Sequence, residues 1–445
     1  MARIYPFRAL RYNLAQVAAQ DVVTQPYDKI TPAMQEAYYR RSPWNLVRLE
    51  LRLPELFDGE EDRYANAARD FAAWRQAGIL AQERQPCVFA YATWFTTPGK
   101  PGVARERRGF IALSELTSYS QEVVFRHEQT QEEPKADRLN LLRATRANLG
   151  QILMLYSDPA RTADQLLFGD GAAWETLPDV EVTDEYGALH RVWRVMDPAK
   201  INLLTTSLED KKLIIADGHH RYEAALQYAR ERGVAVGSEA CARTGGGLLQ
   251  PVAPESAAMM TFINMDSDVV MLPTHRVVFG LEGFRAARLL EAARGTFEIE
   301  ELVERDADAA LTRLRAVEGR TAFVAVTAEG WFLLTVKKAA VDEALKEIPA
   351  RQRQLDAVQL NRLVLEKLMG LAPEAIREET QVRYVREAAE AAGLVARGEA
   401  NVAFLMNPVT LDQLREVALA GEVMPHKSTD FYPRVPSGLT IYAMD

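Results

Sequence analysis

Residues 212–226 read Lys-Leu-Ile-Ile-Ala-Asp-Gly-His-His-Arg-Tyr-Glu-Ala-Ala-Leu, and this stretch restricts the fold more than any other. Leu213-Ile214-Ile215-Ala216 is an apolar run of strand length. Asp217-Gly218 is a turn signal, and a helical pattern follows from Arg221 to Arg230. A strand feeding a helix through a glycine turn implies an α/β architecture. It also aims backbone N–H groups and the positive end of a helix dipole at one spot. Two histidines and an arginine share that spot, so the expected occupant is an anion, with phosphate foremost.

The chain has six histidines, and five lie in compact polar strings with a basic neighbour. The strings are Arg126-His127-Glu128, His219-His220-Arg221, Thr274-His275-Arg276 and His426-Lys427-Ser428-Thr429; His190, followed by Arg191, lies outside them in an apolar stretch. One anion site assembled from distant segments would account for this bias. At the central string, Gly218 permits close backbone approach, and Arg221 can fork onto two phosphate oxygens. His219 and His220 can donate further hydrogen bonds. Asp217 is the candidate catalytic carboxylate, holding Mg²⁺ or accepting a proton from a substrate hydroxyl. Its plainer use is to cap the helix, which leaves three consecutive basic groups unexplained.

Lys135 and Arg138 share a helix face at spacing three and can reach one ligand together with Arg126 and His127. For Asp137 the plain reading, an ion pair on a solvated helix, is preferred. Glu128 is a candidate base or metal carboxylate, set against the salt bridges that carboxylates beside arginines usually form. Thr274-His275-Arg276 sits at a loop-to-strand junction between Pro273 and Val277-Val278-Phe279. The string His426 to Thr429 reads as an ordered loop over a site, pinned by Phe431, Tyr432 and 439–442, with Lys427 as a mobile positive charge. Gly245-Gly246-Gly247 lacks the lysine and strand context of a P-loop, and no dinucleotide fingerprint is present.

At 445 residues the chain is long enough for two or three subdomains. A net charge of −9 argues against a general nucleic-acid surface. No apolar run approaches a membrane span, the first residues lack a signal-peptide core, and Cys87 and Cys241 have no metal-type spacing. The expectation is a cytoplasmic protein with a small phosphate-bearing ligand and no membrane or nucleic-acid partner; self-association is left open.

Along the chain, residues 1–120 read as an N-terminal α/β region, with a helix from about Glu60 to Ala77 and strands at 86–93 and 108–113. These two strands flank a Pro/Gly loop at 97–102. Residues 121–280 form a core with a helix at 133–148 and strands at 151–156 and 190–195. A loop at 244–247 follows, then apolar runs at 262–264 and 269–272. Residues 281–423 read as an α/β subdomain: helices at 283–294, 307–317, 357–368 and 385–396, a hairpin at 321–336 and a strand at 402–406. Residues 424–445 form a polar C-terminal loop returning to the site.

The strings Pro-Tyr-Asp (26–28), Arg-His-Glu-x-Thr (126–130), Lys-x-Asp-Arg (135–138), Asp-Gly-His-His-Arg-Tyr (217–222), Leu-Pro-Thr-His-Arg (272–276) and Met-Pro-x-Lys-Ser-Thr-x-Phe (424–431) cover nearly the whole chain in order. Together they resemble the bacterial and archaeal family catalogued as domain of unknown function 1015. The Asp-Gly-His-His-Arg core is similar to that of the ParB/sulfiredoxin-like superfamily, whose members bind nucleotide phosphates with a basic glycine motif at a helix start. Free-serine kinases of that superfamily carry the same string. The resemblance implies a mixed α/β fold with a ParB/sulfiredoxin-like core and phosphate binding by Gly218, His219, His220 and Arg221. It also implies that Asp217 lies near the reacting hydroxyl or metal. It does not place the acidic base, for which Glu128, Asp28 and Glu50 are candidates.

These readings converge on a nucleotide-dependent phosphotransferase acting on a small hydroxyl compound, free L-serine first, with ATP or ADP as co-substrate. Arg126, His219, His220, Arg221, Arg276 and Lys427 would surround the phosphates, aided by His127, Lys135, Arg138, His275, Ser428 and Thr429. Mg²⁺ would be held by Asp217 or Glu128 together with the nucleotide, since this cation rarely needs a full protein cage. The alternatives are a nucleotide-sensing switch without transfer, and a metal hydrolase built on His219, His220 and Glu128.

Overall fold

The computed structural model describes residues 1–52, 62–99, 102–169, 176–237, 241–244 and 246–444. It is a mixed α/β protein that divides into two compact units. The first comprises Met1–Arg126, Thr130–Val270 and Pro433–Asp445; the second comprises His127–Gln129 and Met271–Tyr432. Among the described residues, no helix is long and apolar enough to cross a membrane.

The first unit is organised by a mixed sheet of nine strands among the described residues. Eight follow one path: Val124–Phe125, Leu213–Asp217, Ile152–Tyr156, Ala257–Asn264, Ala104–Glu115, Val88–Thr96, Leu189–Val195 and Val180–Thr183; Ile4–Tyr5 pairs with the 104–115 strand. The 213–217 strand runs parallel to 124–125 and antiparallel to 152–156, which in turn runs parallel to 257–264. Central strands of this kind are covered on both faces, which is why 152–156 and 257–264 are buried throughout; the first is an unbroken apolar run and the second is apolar but for Thr261 and Asn264. Against 152–156 the register shifts between Ile215 and Asp217. Ala216 is therefore an extra residue, and a bulge of this type re-aims the side chain beyond it. That side chain belongs to Asp217.

Helix His219–Glu231 starts immediately after Gly218 and packs on helix Glu132–Thr145. Tyr222, Ala225, Leu226 and Ala229 are buried at the spacing of a helix lying on a core, and His219, Ala224 and Tyr228 are buried beside them. The end of the chain is tied into the same unit. Thr24 and Ser437 exchange backbone hydrogen bonds of 2.9 and 3.1 Å, and Leu10 and Ile441 exchange two of 2.9 Å.

The second unit has an antiparallel sheet in the order Phe297–Leu302, Trp331–Val336, Ala322–Thr327, Val402–Leu405, His275–Val278 and Val382–Val385. Alternate residues feed two cores. Val278, Phe323, Ala325, Leu334 and Phe404 pack with Leu289, Leu360 and Val364 on one face. Val277, Val324, Val326, Leu333 and Leu405 pack with Leu314, Ala391 and Leu394 on the other.

Most expected elements are present with shifted ends, as in the helices Arg63–Gln76 and Ala307–Arg315. Two differ in kind. The helix expected at 357–368 is a short α-turn, Asp356–Gln359, that widens into a π-helix at Leu360–Glu366. Val385, expected to open a helix, closes strand Val382–Val385, and the helix is Ala388–Ala396. The expected helix start at Glu60, Lys100 and Pro101 of the hairpin loop, and Gly245 lie outside the described residues.

Candidate functional site

The turn between strand and helix is set by Gly218, at φ 90° and ψ 28°. This is left-handed backbone that costs an ordinary L-residue roughly 1–2 kcal/mol. Gly218 is the N-cap of the helix and brings no side-chain cap. The first-turn N–H groups have no intrahelical acceptors, so the positive end of the helix dipole falls at this turn. Asp217 is not the cap. Its bulge directs it instead between two guanidinium groups: Arg221 Nη2 lies 2.7 Å from Oδ2, and Arg434 Nη1 donates to Oδ1.

Burial alone would raise the Asp217 pKa, but Arg434, Arg221, Lys29 and His219 outweigh it and hold the carboxyl below its ordinary value. A carboxylate held in that way stays ionised and is a poor proton acceptor. Arg221 keeps one donor in reserve, since its buried Nε has no partner among the described residues. Its guanidinium also lies toward the Tyr27 ring, 6.0 Å from the centroid, which Arg138 covers at 4.0 Å.

Glu50 faces the same groups. It is 4% exposed, its backbone oxygen accepts from Arg138 Nη2 at 3.0 Å, and its buried Oε2 has no partner among the described residues. Burial raises its pKa despite the opposing pull of Arg138 and Arg221. Glu50, Arg138, Gly150 and Arg221 line one small cavity. Gly150 is what lets them meet: a Cβ there would lie 2.9 Å from Glu50 Oε1, 3.0 Å from Arg221 Nη1 and 3.0 Å from Ser437 Oγ.

Other expected residues of this unit have defined partners. Arg126 Nη1 and Thr130 Oγ1 converge on the Glu223 carboxylate at 3.2 and 2.5 Å, and Arg126 covers the Tyr119 ring. His220 Nε2 accepts the Gln131 N–H at 3.0 Å, and His219 is 6% exposed. Lys135 and Arg138 do share helix 132–145. Lys135 pairs with Glu132 at 2.7 Å, however, whereas Arg138 is buried and also holds Asp137.

The remaining expected residues lie in the second unit and form a network of their own. Glu128 accepts the Lys427 N–H at 2.8 Å and sits 3.1 Å from His426 Nδ1. Burial would lower the His426 pKa, but hydrogen bonds to Glu128 and Glu379 raise it to about 9. Lys427 Nζ pairs with Glu379, and His127 Nε2 meets Thr429 Oγ1 at 2.9 Å. Ser428 donates to the Pro425 carbonyl at 2.6 Å. His275 is fully buried and accepts the Met406 N–H on Nδ1; burial and Arg276 lower its pKa to about 3. The imidazole is therefore uncharged near neutral pH, and its buried Nε2 has no partner among the described residues.

Two expectations are corrected by these contacts. Both Asp217 oxygens are taken by arginines, so the carboxylate fits neither a protein-held Mg²⁺ nor a general base. At Glu128 the Lys427 N–H and His426 Nδ1 share one oxygen, Oε1, which ties this carboxylate into the network of the second unit. Among the described residues, no group of three or more His, Cys, Asp or Glu side chains is placed to hold a metal. Arg434 and Gly150 were not singled out from the sequence. Arg434 stands alone between Pro433 and Val435-Pro436, and the one signal for it was the polar tail expected to return.

No curated protein matches this chain. Solved structures that resemble it include a free serine kinase in complex with AMP, at 15% identity over 74% of this chain and 92% of that one, with a TM-score of 0.34. A conserved hypothetical protein from Pyrococcus furiosus is similar at 15% identity over 74% and 93%, with a TM-score of 0.35. SbnI with a C-terminal truncation, from Staphylococcus aureus, is similar at 10% identity over 75% and 87%, with a TM-score of 0.34. The family described as protein of unknown function (DUF1015) matches residues 4–358, and the chain belongs to it.

Proposed function

We propose that the first unit binds a nucleotide, ATP or ADP, through its phosphates at the Gly218–Arg221 turn and transfers a phosphoryl group to a small hydroxyl compound. The observation that carries this reading is the uncapped helix start set beside clustered basic groups: Arg434, Arg221, Lys29 and His219 all act on the Asp217 carboxylate, and Arg221 acts on Glu50 as well. Helix N-termini and guanidinium forks are established ways to hold phosphate oxygens. Free L-serine is the first acceptor to test, on the likeness of the Asp-Gly-His-His-Arg string to that of free-serine kinases.

In the proposed reaction the acceptor oxygen bonds to the terminal phosphorus and the bond from that phosphorus to the bridging oxygen breaks. The hydroxyl proton passes to Glu50. A carboxyl whose pKa burial has raised is better matched to taking a proton near neutral pH than the clamped Asp217. The arginines neutralise charge as it spreads over the phosphoryl oxygens. Asp217 acts as a positioning residue that orients Arg221 and Arg434. No step is derived through Mg²⁺, because Asp217 does not fit it.

Glu50→Gln tests the reading. Transfer from ATP or ADP to L-serine and other small alcohols is expected to fall by about 10²–10⁴-fold, with nucleotide affinity little changed. Transfer that is undiminished in the variant sinks the base assignment. Nucleotide binding with no transfer to any acceptor by the parent favours a sensing switch instead.

A further inference from the structure

Arg276 is only 2% exposed, yet among the described residues no carboxylate pairs with it. Its Nη1 donates to the Thr274 carbonyl and lies 3.3 Å from Met406 Sδ. Its Nη2 reaches the Lys427 carbonyl at 3.5 Å, its face lies over the Tyr384 ring, and its Nε has no partner. The neighbouring Thr274 hydroxyl is also buried without a partner. A buried guanidinium with no carboxylate partner carries a desolvation penalty that two carbonyls, a thioether and an aromatic face offset only in part.

Both residues line a cavity of about 190 Å³ within the second unit, together with Asp356, Asn407, Gln413 and Ser428. Asp356 Oδ1 accepts from Thr321 at 2.8 Å, and its carboxyl forms no ion pair among the described residues. Burial raises its pKa to about 6, and Arg276 is not among the groups acting on it. The cavity wall thus carries one cation and one carboxyl that do not neutralise each other. The helix start at Leu411 is already closed by a Thr410–Gln413 capping box, so it does not account for the open polar groups.

We propose that this cavity is a binding site for a small zwitterion, an amino acid, whose carboxylate meets Arg276 and Thr274 and whose ammonium meets Asp356. The volume lies below the range of roughly 300–1,000 Å³ usual for drug-sized ligands, and a carboxyl in the wall disfavours a polyphosphate. The proposal does not rest on the nucleotide reading.

The test is calorimetric titration of the full chain with the twenty L-amino acids, β-alanine and 4-aminobutyrate. Acetate, methylammonium and inorganic phosphate serve as single-charge probes. At least one zwitterion is expected to bind at least tenfold more tightly than any single-charge probe. That affinity is expected to fall tenfold or more in both Thr274→Val and Asp356→Asn, with nucleotide affinity unchanged and circular dichroism matching the parent. The proposal is overturned if no zwitterion binds the parent. It is also overturned if binding is indifferent to both substitutions, or if phosphate or acetate binds as tightly as any zwitterion. An amino acid that binds indifferently to both would belong to an acceptor site elsewhere, which leaves the phosphotransferase reading standing.

Discussion

Asp217 is shared by two guanidinium groups that reach it from different parts of the chain, Arg221 four residues on and Arg434 from the C-terminal tail. Removing one partner leaves a buried carboxylate partly uncompensated. Arg434→Ala is therefore expected to cost about 3 kcal/mol, the low end for a broken buried pair because Arg221 remains; urea unfolding measures it. Gly150→Ala adds a methyl where Glu50, Arg221 and Ser437 converge. It is expected to cost about 1–3 kcal/mol and to lower nucleotide affinity, and wild-type affinity and stability in that variant would refute the convergence. The basic string at 218–221 was legible because its residues are contiguous. Glu50 was only one of three candidate bases, and Gly150 was invisible, since both matter through contacts far away in sequence.

The strand–turn–helix at 213–231 was readable because each part has its own local signal, an apolar run, a glycine and a 3.6-residue pattern. The bulge at Ala216 has none, being a property of pairing with 152–156, and it is what moves Asp217 from helix cap to arginine acceptor. The π-winding at Leu360–Glu366 escaped for a similar reason. It buries Leu360, Leu363 and Val364 at the i, i+3, i+4 spacing that a regular helix also uses, with Leu365 added, so the apolar pattern does not separate the two windings. Val382 and Val385 are buried with Arg383 exposed between them, a strand too short for its period to stand out beside a following Ala-rich run. Helix 219–231 is fastened through Tyr222, whose hydroxyl donates to the Thr117 carbonyl at 2.8 Å and accepts the Thr117 N–H at 3.1 Å. Tyr222→Phe orphans both buried groups, and a loss of about 1–3 kcal/mol is expected in thermal or urea unfolding. An unchanged midpoint would mean that the helix is held by its apolar face alone.

For the molecule as a whole, stability should be bounded on both sides of neutral pH by groups in different units. His426 has a folded pKa raised to about 9. Its contribution is therefore complete below the unfolded value near 6.5 and is lost as pH rises through about 9. Asp217 is lowered, so its contribution is present above the unfolded value near 4 and is lost as pH falls through its folded value. Melting curves from pH 6 to 10 should show a decline in the parent that His426→Gln flattens. Equal slopes would show that Glu128 and Glu379 do not hold the imidazolium. The most direct measurement remains calorimetric titration of ATP, ADP and CTP, with Mg²⁺ and with a chelator, into the parent and Arg221→Ala. Binding of a nucleotide that survives chelation and falls at least tenfold in the variant is the expected result. Absence of binding by any of the three, or affinity untouched by the substitution, would contradict a phosphate site at the Gly218 turn.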